Sequence, residues 1–469
     1  MKVLFIHPSS GHIEYASNYY VTTSALLPPL GILYLARMLE KNGRRAEVID
    51  CNAEGIREDT IRKAVKSSEA VGMTLYCHPH EQNISKSIAK LIREIDSDIP
   101  IIIGGPHSTL LPEQSLLDHK ANICVRGRGD SIINPIIEAI LGKRDLSSIP
   151  NIYYREGERI RHTKPEKISM KLDELPFPAR HLVDKYEYGF MQGKRIAKGR
   201  LTSIITSRGC VNKCNFCNLH AHIPECSFRS AENIKKEIED ITNNGYKTLA
   251  FVDDNFMIRK KLVTEIMDYI KNNDLDLRLW IFGARADSAE RSLFKKMRDA
   301  GTEAINFGIE SGSQEVLDYY DKKLTISQIK KAVYLSKEMG FFTTATFIIG
   351  APIETKNHIN QTIKFSSSLP LDSAVFFVFH YTYKSKLWED SVKDGKIRSD
   401  EFRVVPNKSR GLGNFSPEEL MKYTRKANIH FFLNPHRLIR TVNNAIISKD
   451  FRAFVQGLQM FKKIATERS

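Results

Sequence analysis

The sequence predicts an α/β protein with three parts in series: a doubly wound parallel sheet, a partial (βα)6 barrel and a helical tail. Three observations predict it. Short apolar runs alternate with amphipathic helical stretches over most of the chain, the pattern of parallel sheets wrapped by helices. The alternation resumes with longer spacing after a turn-rich segment that ends near residue 200. Residues 396–469 then keep a helical period without strand-like runs.

A chain of 469 residues is too long for one ordinary domain. Its 42% hydrophobic and 27% charged residues are those of a folded globular protein, far from a disordered one.

Residues 1–145 form the first domain. Candidate strands are Lys2 to Ile6, Arg45 to Ile49, Ala70 to Leu75, Ile101 to Ile103 and Ile123 to Val125, with helical stretches such as Leu30 to Lys41 and Glu81 to Ile95 between them. Gly104-Gly105-Pro106 is a strand-end turn. Such folds bind ligands at the carboxyl ends of their strands, where His7, Tyr76 and His107 fall.

Residues 146–200 read as a linker that packs on its neighbours, with a small hairpin over Tyr153 to Arg159 and the rigid connector Leu175-Pro176-Phe177-Pro178. Residues 201–395 carry six further strands: Thr202 to Thr206, Thr248 to Val252, Arg278 to Phe282, Ala304 to Gly308, Thr343 to Ile349 and Ala374 to Phe379. In a barrel the chemistry sits in the loops after the strands. Those loops hold three cysteines, Asp253-Asp254-Asn255, Arg285, Glu310-Ser311-Gly312 and Gly350-Ala351-Pro352. In the tail, Ser416-Pro417-Glu418-Glu419 is a helix start, and Leu420 to Phe432 and Phe451 to Ile464 have helical spacing.

No run of about 18 apolar residues suggests a membrane span, and Lys2 to Ile6 reads as a strand and not as a secretory signal, so the cytoplasm is the expected location. The net charge of +15 favours an anionic partner, either an anionic or lipid-like small molecule or a membrane surface. The basic residues are spread over helix faces such as Arg259-Lys260-Lys261 and form no dense run, so nucleic acid is not the expected partner.

Of seven cysteines, three fall within the eight residues Cys210 to Cys217, as Cys-x3-Cys-x2-Cys. Thiolates at this spacing let one loop wrap three corners of an iron–sulfur cube and leave the fourth iron open to a small molecule. A zinc site with His220 as fourth ligand is the alternative, although zinc sites usually pair Cys-x2-Cys units. Cys51, Cys77, Cys124 and Cys226 are scattered and read as inert thiols.

With Phe216 before the third cysteine, the motif resembles that of the radical S-adenosylmethionine (SAM) superfamily. Arg229-Ser230-Ala231-Glu232 resembles the opening of that family's first barrel helix. Phe251 to Phe256 resembles its second-strand loop, Gly308 to Gly312 its fourth-strand segment and Phe347 to Thr355 its fifth. The resemblance implies a [4Fe–4S] cluster on Cys210, Cys214 and Cys217. It implies that SAM is held by Phe216, Asp253, Asp254, Arg285, Glu310, Ser311 and Gly350 and cleaved to a 5′-deoxyadenosyl radical. An external electron donor such as flavodoxin or ferredoxin would be needed.

The first domain narrows the subgroup. Pro28 to Ala36, Gly104 to His107 and Arg126 to Asp130 resemble the cobalamin-binding domain that precedes many radical SAM barrels, and Leu175 to Pro178 resembles the usual connector. That resemblance places cobalamin against His7, Pro8, Tyr76, Gly104, Gly105, His107 and Gly127. Two departures stand out. The loop His7-Pro8-Ser9-Ser10-Gly11 lacks the Asp-x-His-x-x-Gly motif that puts histidine on cobalt, and Asp50 to Gly55, which superficially fits it with Asn for His, follows the second strand. The sixth-strand loop reads Tyr381 to Lys386 where relatives often have Pro-Gly-Thr.

The expected activity is cobalamin-dependent methylation of an unactivated carbon or phosphorus centre, with radical cyclisation, oxidation or rearrangement as the close rival. A methylthiotransferase on nucleic acid would need Cys51, Cys77 and Cys124 to hold a second cluster. A zinc-stabilised binding module is the non-enzymatic rival. The acid or base of the reaction, the substrate and the oligomeric state are not fixed by the sequence.

Overall fold

A computed structural model of the chain describes residues 1–8, 26–167, 170–191, 194–435, 437 and 439. It divides into two compact units: Met1–Arg208 with His222–Ala250, and Gly209–Ala221 with the chain from Phe251 onward.

The first unit is built on five parallel strands, β1 (Lys2–His7), β2 (Arg45–Asp50), β3 (Ala70–Thr74), β4 (Ile101–Gly104) and β5 (Ile123–Val125), in the order β2-β1-β3-β4-β5. The strands are near-continuous apolar runs because helices cover both faces. Leu4, Ile6, Val71, Ile101 and Ile103 join Ile88 and Ile92 of helix Pro79–Ile95 in one core. The chain leaves β1 first to one side and then to the other. The sheet's switch point therefore lies between the carboxyl ends of β1 and β3, where open α/β sheets bind ligands.

The hairpin in the connector does more than link. Its strands add to this sheet, β6 (Ile152–Glu156) antiparallel to β5 and β7 (Arg159–His162) antiparallel to β6. Ile152 is buried, Tyr153 packs on the core, and Arg155 donates to the carbonyls of Ala121 (3.0 Å) and Leu116 (3.2 Å). The rest of the unit comprises the short pair β8 (Phe190–Met191) and β9 (Lys194–Arg195), strand β10 (Arg200–Ile204), the pair β11 (Ser207–Arg208) and β12 (Ser227–Phe228), and β13 (Tyr246–Phe251) beside β10. Arg180 of the connector and Arg229 flank the fully buried carboxylate of Glu237 on helix Ala231–Asn243. Arg180 also donates to Thr202 Oγ1 and the Ser203 carbonyl, both at 2.9 Å.

In the second unit β14 (Arg278–Ala284), β15 (Thr302–Glu310), β16 (Phe342–Ile349) and β17 (Ser373–Val378) are neighbours in chain order and parallel. Helices Arg291–Asp299, Ile326–Glu338 and Lys356–Ser368 connect them. Along the chain β10, β13 and these four make the six strand–helix repeats expected. The pair β18 (Tyr381–Thr382) and β19 (Arg403–Val404) follows. Helix Pro417–Phe432 starts at the expected Ser416, with a capping box to Glu419, and sets Phe431 on Phe376 of β17. The expected helix Phe451 to Ile464 and the loop Ser9 to Gly11 lie outside the described residues. No described helix is long and apolar enough to cross a membrane.

Candidate cluster and cofactor sites

Cys210, Cys214 and Cys217 lie together on one loop of the second unit, none of them in a disulfide. The loop is held from its middle. Asn215 donates its backbone N–H to the Tyr320 carbonyl (2.9 Å) and its side-chain amide to that of Tyr319 (2.8 Å), while its own carbonyl accepts from Leu387 (3.1 Å). Phe216 sets its ring edge-on against Tyr320 at 4.9 Å between centroids. The backbone amides of Asn212 and Leu219 point at the sulfurs of Cys210 (3.4 Å) and Cys217 (3.5 Å), the N–H···S bonds that stabilise cluster thiolates.

Burial pushes the Cys217 thiol up to about 11, against the Leu219 N–H. Burial also raises Cys214, but the charges of Lys322 and Arg285 pull it down. Three thiols with two cations beside one of them suit an anionic, thiolate-bound cluster. His220, the fourth ligand of the zinc alternative, pairs its Nε2 with the Asn212 carbonyl at 2.8 Å, a bond that by itself does not decide between the two readings because it leaves Nδ1 open.

The predicted SAM residues occupy the strand ends of the same unit. Glu310 ends β15 in the left-handed conformation (φ +70°), which is rare outside glycine and marks stored strain. Its carboxylate, buried, pairs with the buried ammonium of Lys322 at 2.8 Å. Gly308 makes room for that pair, since a Cβ there would stand 2.7 Å from Glu310 Oε1. Arg285 donates to Asp287 (2.9 Å) and to the Lys322 carbonyl (2.8 Å), and so fixes the segment that bears Lys322. Ser311 is fully buried and its hydroxyl meets Thr362 (3.1 Å) and the Ser313 amide (3.1 Å), holding the turn behind Glu310.

Asp253 is buried and Asp254 exposed. Gly283 (φ +65°) approaches so closely that a Cβ would lie 2.2 Å from the Asp253 carbonyl oxygen. Next to them, Asn255 Oδ1 is buried with no hydrogen-bond partner among the described residues. Gly350 (φ +103°) ends β16, and its amide and that of Ala351 donate to Glu354. Burial still pushes the Glu354 carboxyl up to about 7, against those two N–H groups. Glu354 Oε1 and the hydroxyl of fully buried Tyr320 are likewise unpartnered. Buried polar atoms left open in a folded protein call for an explanation. A ligand rich in donors and acceptors at these strand ends supplies one, so the residues fit SAM.

Sequence reasoning missed Lys322 and Tyr320, and met Glu354 only as part of the fifth-strand segment. Lys322 stands in the run Asp321-Lys322-Lys323, which reads as a solvated turn. Only its place shortly after the Gly308 to Gly312 segment could have flagged it.

In the first unit the predicted cobalamin residues line the carboxyl ends of β1, β3, β4 and β5. His7 and Pro8 are buried and Tyr76 partly exposed. His7 Nδ1 bonds Asp50 Oδ1 (2.8 Å) and its Nε2 bonds the Tyr76 hydroxyl (3.0 Å). Asp50 also accepts from Tyr188 (2.8 Å) and the Asn52 amide (3.0 Å). Asp50 reaches His7 because β1 and β2 pair in parallel register with those two residues opposite. Gly105 (φ +98°) turns tightly under Thr74 and Leu75, while Gly127 (φ +83°) has no atom within 4 Å of where a Cβ would stand. A glycine edge beside polar groups at the switch point fits a large planar cofactor. His107 lies inside, buried, and burial with His119 nearby pushes it down to about 4.

Cys51 and Cys124 are fully buried, and burial pushes both thiols up to about 12. Cys51 follows β2 and Cys124 lies in β5, four strands across the sheet. At about 4.8 Å per strand that is roughly 19 Å, too far for one cluster. The second cluster of a methylthiotransferase has no place here.

Residues 204–366 match the radical SAM superfamily and residues 19–136 match the B12 binding domain. The chain thus carries a radical SAM domain and a B12 binding domain, and the cofactors that these serve are a [4Fe–4S] cluster, SAM and cobalamin. It is 29% identical to an uncharacterized methyltransferase of Pyrococcus horikoshii, over 94% of this chain and 95% of that protein. It is 27% identical to the anaerobic magnesium-protoporphyrin IX monomethyl ester cyclase of Rubrivivax gelatinosus, over 80% of this chain and 67% of that one. Among solved structures, TsrM of Kitasatospora setae, a radical SAM methyltransferase with cobalamin and a [4Fe–4S] cluster bound, shares the fold. The TM-score is 0.63 and the identity 20%, over 80% of this chain and 72% of that one.

Proposed function

We propose that the protein is a cobalamin-dependent radical SAM methyltransferase acting on an unactivated carbon or phosphorus centre of a small molecule. The observation that carries this is the three-thiol loop set beside the buried Glu310–Lys322 pair, in a chain that also holds a B12 binding domain. Bound in these sites, the cofactors supply a hydrogen-abstracting 5′-deoxyadenosyl radical and a transferable methyl group.

The chain's own part is to bind, orient and shield. Cys210, Cys214 and Cys217 hold the cluster, with Phe216 packed beneath the loop against Tyr320. Asp253, Asp254, Asn255 and Arg285 take the methionine end of SAM, Glu310 with Lys322 the ribose side, and the Gly350 turn the adenine. Ser311 serves the SAM site by holding the Glu310 turn through Thr362 and the Ser313 amide. His7, Tyr76, Gly104, Gly105 and Gly127 face cobalamin. Residues 1–145 serve cobalamin and 201–395 serve the cluster and SAM, with 146–200 between them in the chain and 396–469 as a helical tail. An electron donor of the flavodoxin or ferredoxin type and a cytoplasmic location complete the proposal. The basic balance favours an anionic substrate.

The likeness to the Rubrivivax gelatinosus cyclase favours a second reading, radical cyclisation without methyl transfer. Product analysis separates the two. With substrate from a cell extract, methyl transfer yields S-adenosylhomocysteine alongside 5′-deoxyadenosine, and a label from methyl-deuterated SAM enters the product. 5′-Deoxyadenosine alone, with no label transferred, favours the cyclase.

A further inference from the structure

Strands β15, β16 and β17 turn one face toward helices and the other away from them. On the helix side Thr343 meets Ser336 of helix Ile326–Glu338 at 2.7 Å, and Phe376 packs between Phe347 and Phe431 of helix Pro417–Phe432. The parallel register pairs Asn306 with Thr344, Gly308 with Thr346, Thr346 with Val375 and Ile348 with Phe377, so these residues share the opposite face. In a closed barrel such inner positions are filled by packed side chains. Here Gly308, Thr346, Ile348 and Val375 are only half-buried, and Phe377 is 42% exposed.

This open face is divided. Its β15 side is polar: Asn306 donates to Thr344 Oγ1 (2.8 Å), and the Glu310–Lys322 pair stands at the strand end. Its β17 side is apolar, with Phe377 between Ile348 on the neighbouring strand and Val375 two residues back. Glu310 lies beside Phe347 and Phe377 beside Ile348, so Phe377 stands nearly level with Glu310, two strands or about 10 Å across. A phenyl ring left in water there forgoes the gain of burial that a covering ligand restores.

We propose that Phe377 determines substrate specificity: the substrate lays an apolar portion, ring or alkyl chain, on Phe377 with Ile348 and Val375 beside it, while SAM takes the polar side at Glu310. The proposal rests on the reading of the protein as a SAM-dependent methyltransferase and names its substrate class. An unactivated carbon has apolar neighbours, and this strip holds them next to the SAM side.

The test uses the full chain, reconstituted anaerobically with its cluster and SAM, and the neutral fluorescent probe N-phenyl-1-naphthylamine. The parent should bind the probe saturably. Phe377→Ser should weaken binding about tenfold or more, the loss expected for one phenyl ring, whereas Phe377→Leu should stay within about threefold of the parent. Phe377→Trp, which enlarges the apolar surface, should bind at least as tightly, so the test does not depend on a loss alone. Phe342, exposed to the same 42% at the amino end of β16, is the control, and Phe342→Ser should bind like the parent. Parental affinity in Phe377→Ser, an equal loss in Phe342→Ser, or no saturable binding by the parent would overturn the proposal. A parent that binds the probe but takes up no iron and sulfide and cleaves no SAM overturns the methyltransferase reading instead, a failure distinct from these.

Discussion

Lys322 places its ammonium 2.8 Å from the carboxylate of Glu310, both side chains buried, and its charge is felt at the thiol of Cys214. Removing one partner of a buried ion pair strands the other, at about 3–5 kcal/mol, whereas replacing both by apolar groups is often neutral. Lys322→Met is therefore expected to lower the unfolding free energy by about that amount, and adding Glu310→Met to recover most of it. Neither variant should cleave SAM at the parental rate. Denaturant unfolding and 5′-deoxyadenosine formation check the two halves separately.

Glu354 gives stability a pH dependence. Its folded-state value, about 7, lies above the unfolded carboxyl's, so its contribution is fully present below pH 4.5 and is lost as pH rises through 7. Between pH 5.5 and pH 8 the loss is about 2 kcal/mol. Glu354→Gln, which keeps an oxygen for the amides of Gly350 and Ala351, should flatten that slope and be the more stable form at pH 8. Denaturation midpoints at the two pH values test this.

Gly283→Ala puts a methyl group 2.2 Å from the Asp253 carbonyl oxygen at a φ of +65°. Strain and collision together should destabilise the protein by about 2 kcal/mol or more and weaken SAM binding by displacing the Asp253 loop. Gly245→Ala, at a similar φ of +77° but with no neighbour within 4 Å, should carry the strain alone and leave SAM affinity unchanged. Thermal melts and SAM titrations of the two variants compare them.

The thiol loop and the strand ends were legible because their chemistry is local: Cys210 to Cys217 lie within one loop, and apolar runs announce strands whatever they pair with. The role of the hairpin Ile152 to His162 was not, because only the antiparallel pairing with β5 takes it out of the connector and into the sheet. Lys322 was hidden for a related reason. A lysine in a charged turn looks solvated until the left-handed turn at Glu310 brings a carboxylate under it. Asp50 was set aside because it follows the second strand, yet parallel register puts it opposite His7. The bonds of the Ser311 hydroxyl to Thr362 and Ser313, which hold the turn behind Glu310, are likewise beyond what spacing could show.

Cys214→Ala should leave the fold intact, since Asn215 and Phe216 hold the loop without the thiol, but should lower iron and sulfide content and abolish SAM cleavage. Circular dichroism with iron analysis checks it.

If this chain holds a SAM-binding [4Fe–4S] cluster together with cobalamin, anaerobic reconstitution with iron, sulfide and hydroxocobalamin followed by EPR of the reduced protein will reveal both. The expected result is a [4Fe–4S]+ signal that SAM perturbs, with cobalamin absorbance retained through gel filtration. A chain that takes up no iron and sulfide, or a cluster signal that SAM leaves unchanged, would contradict the account.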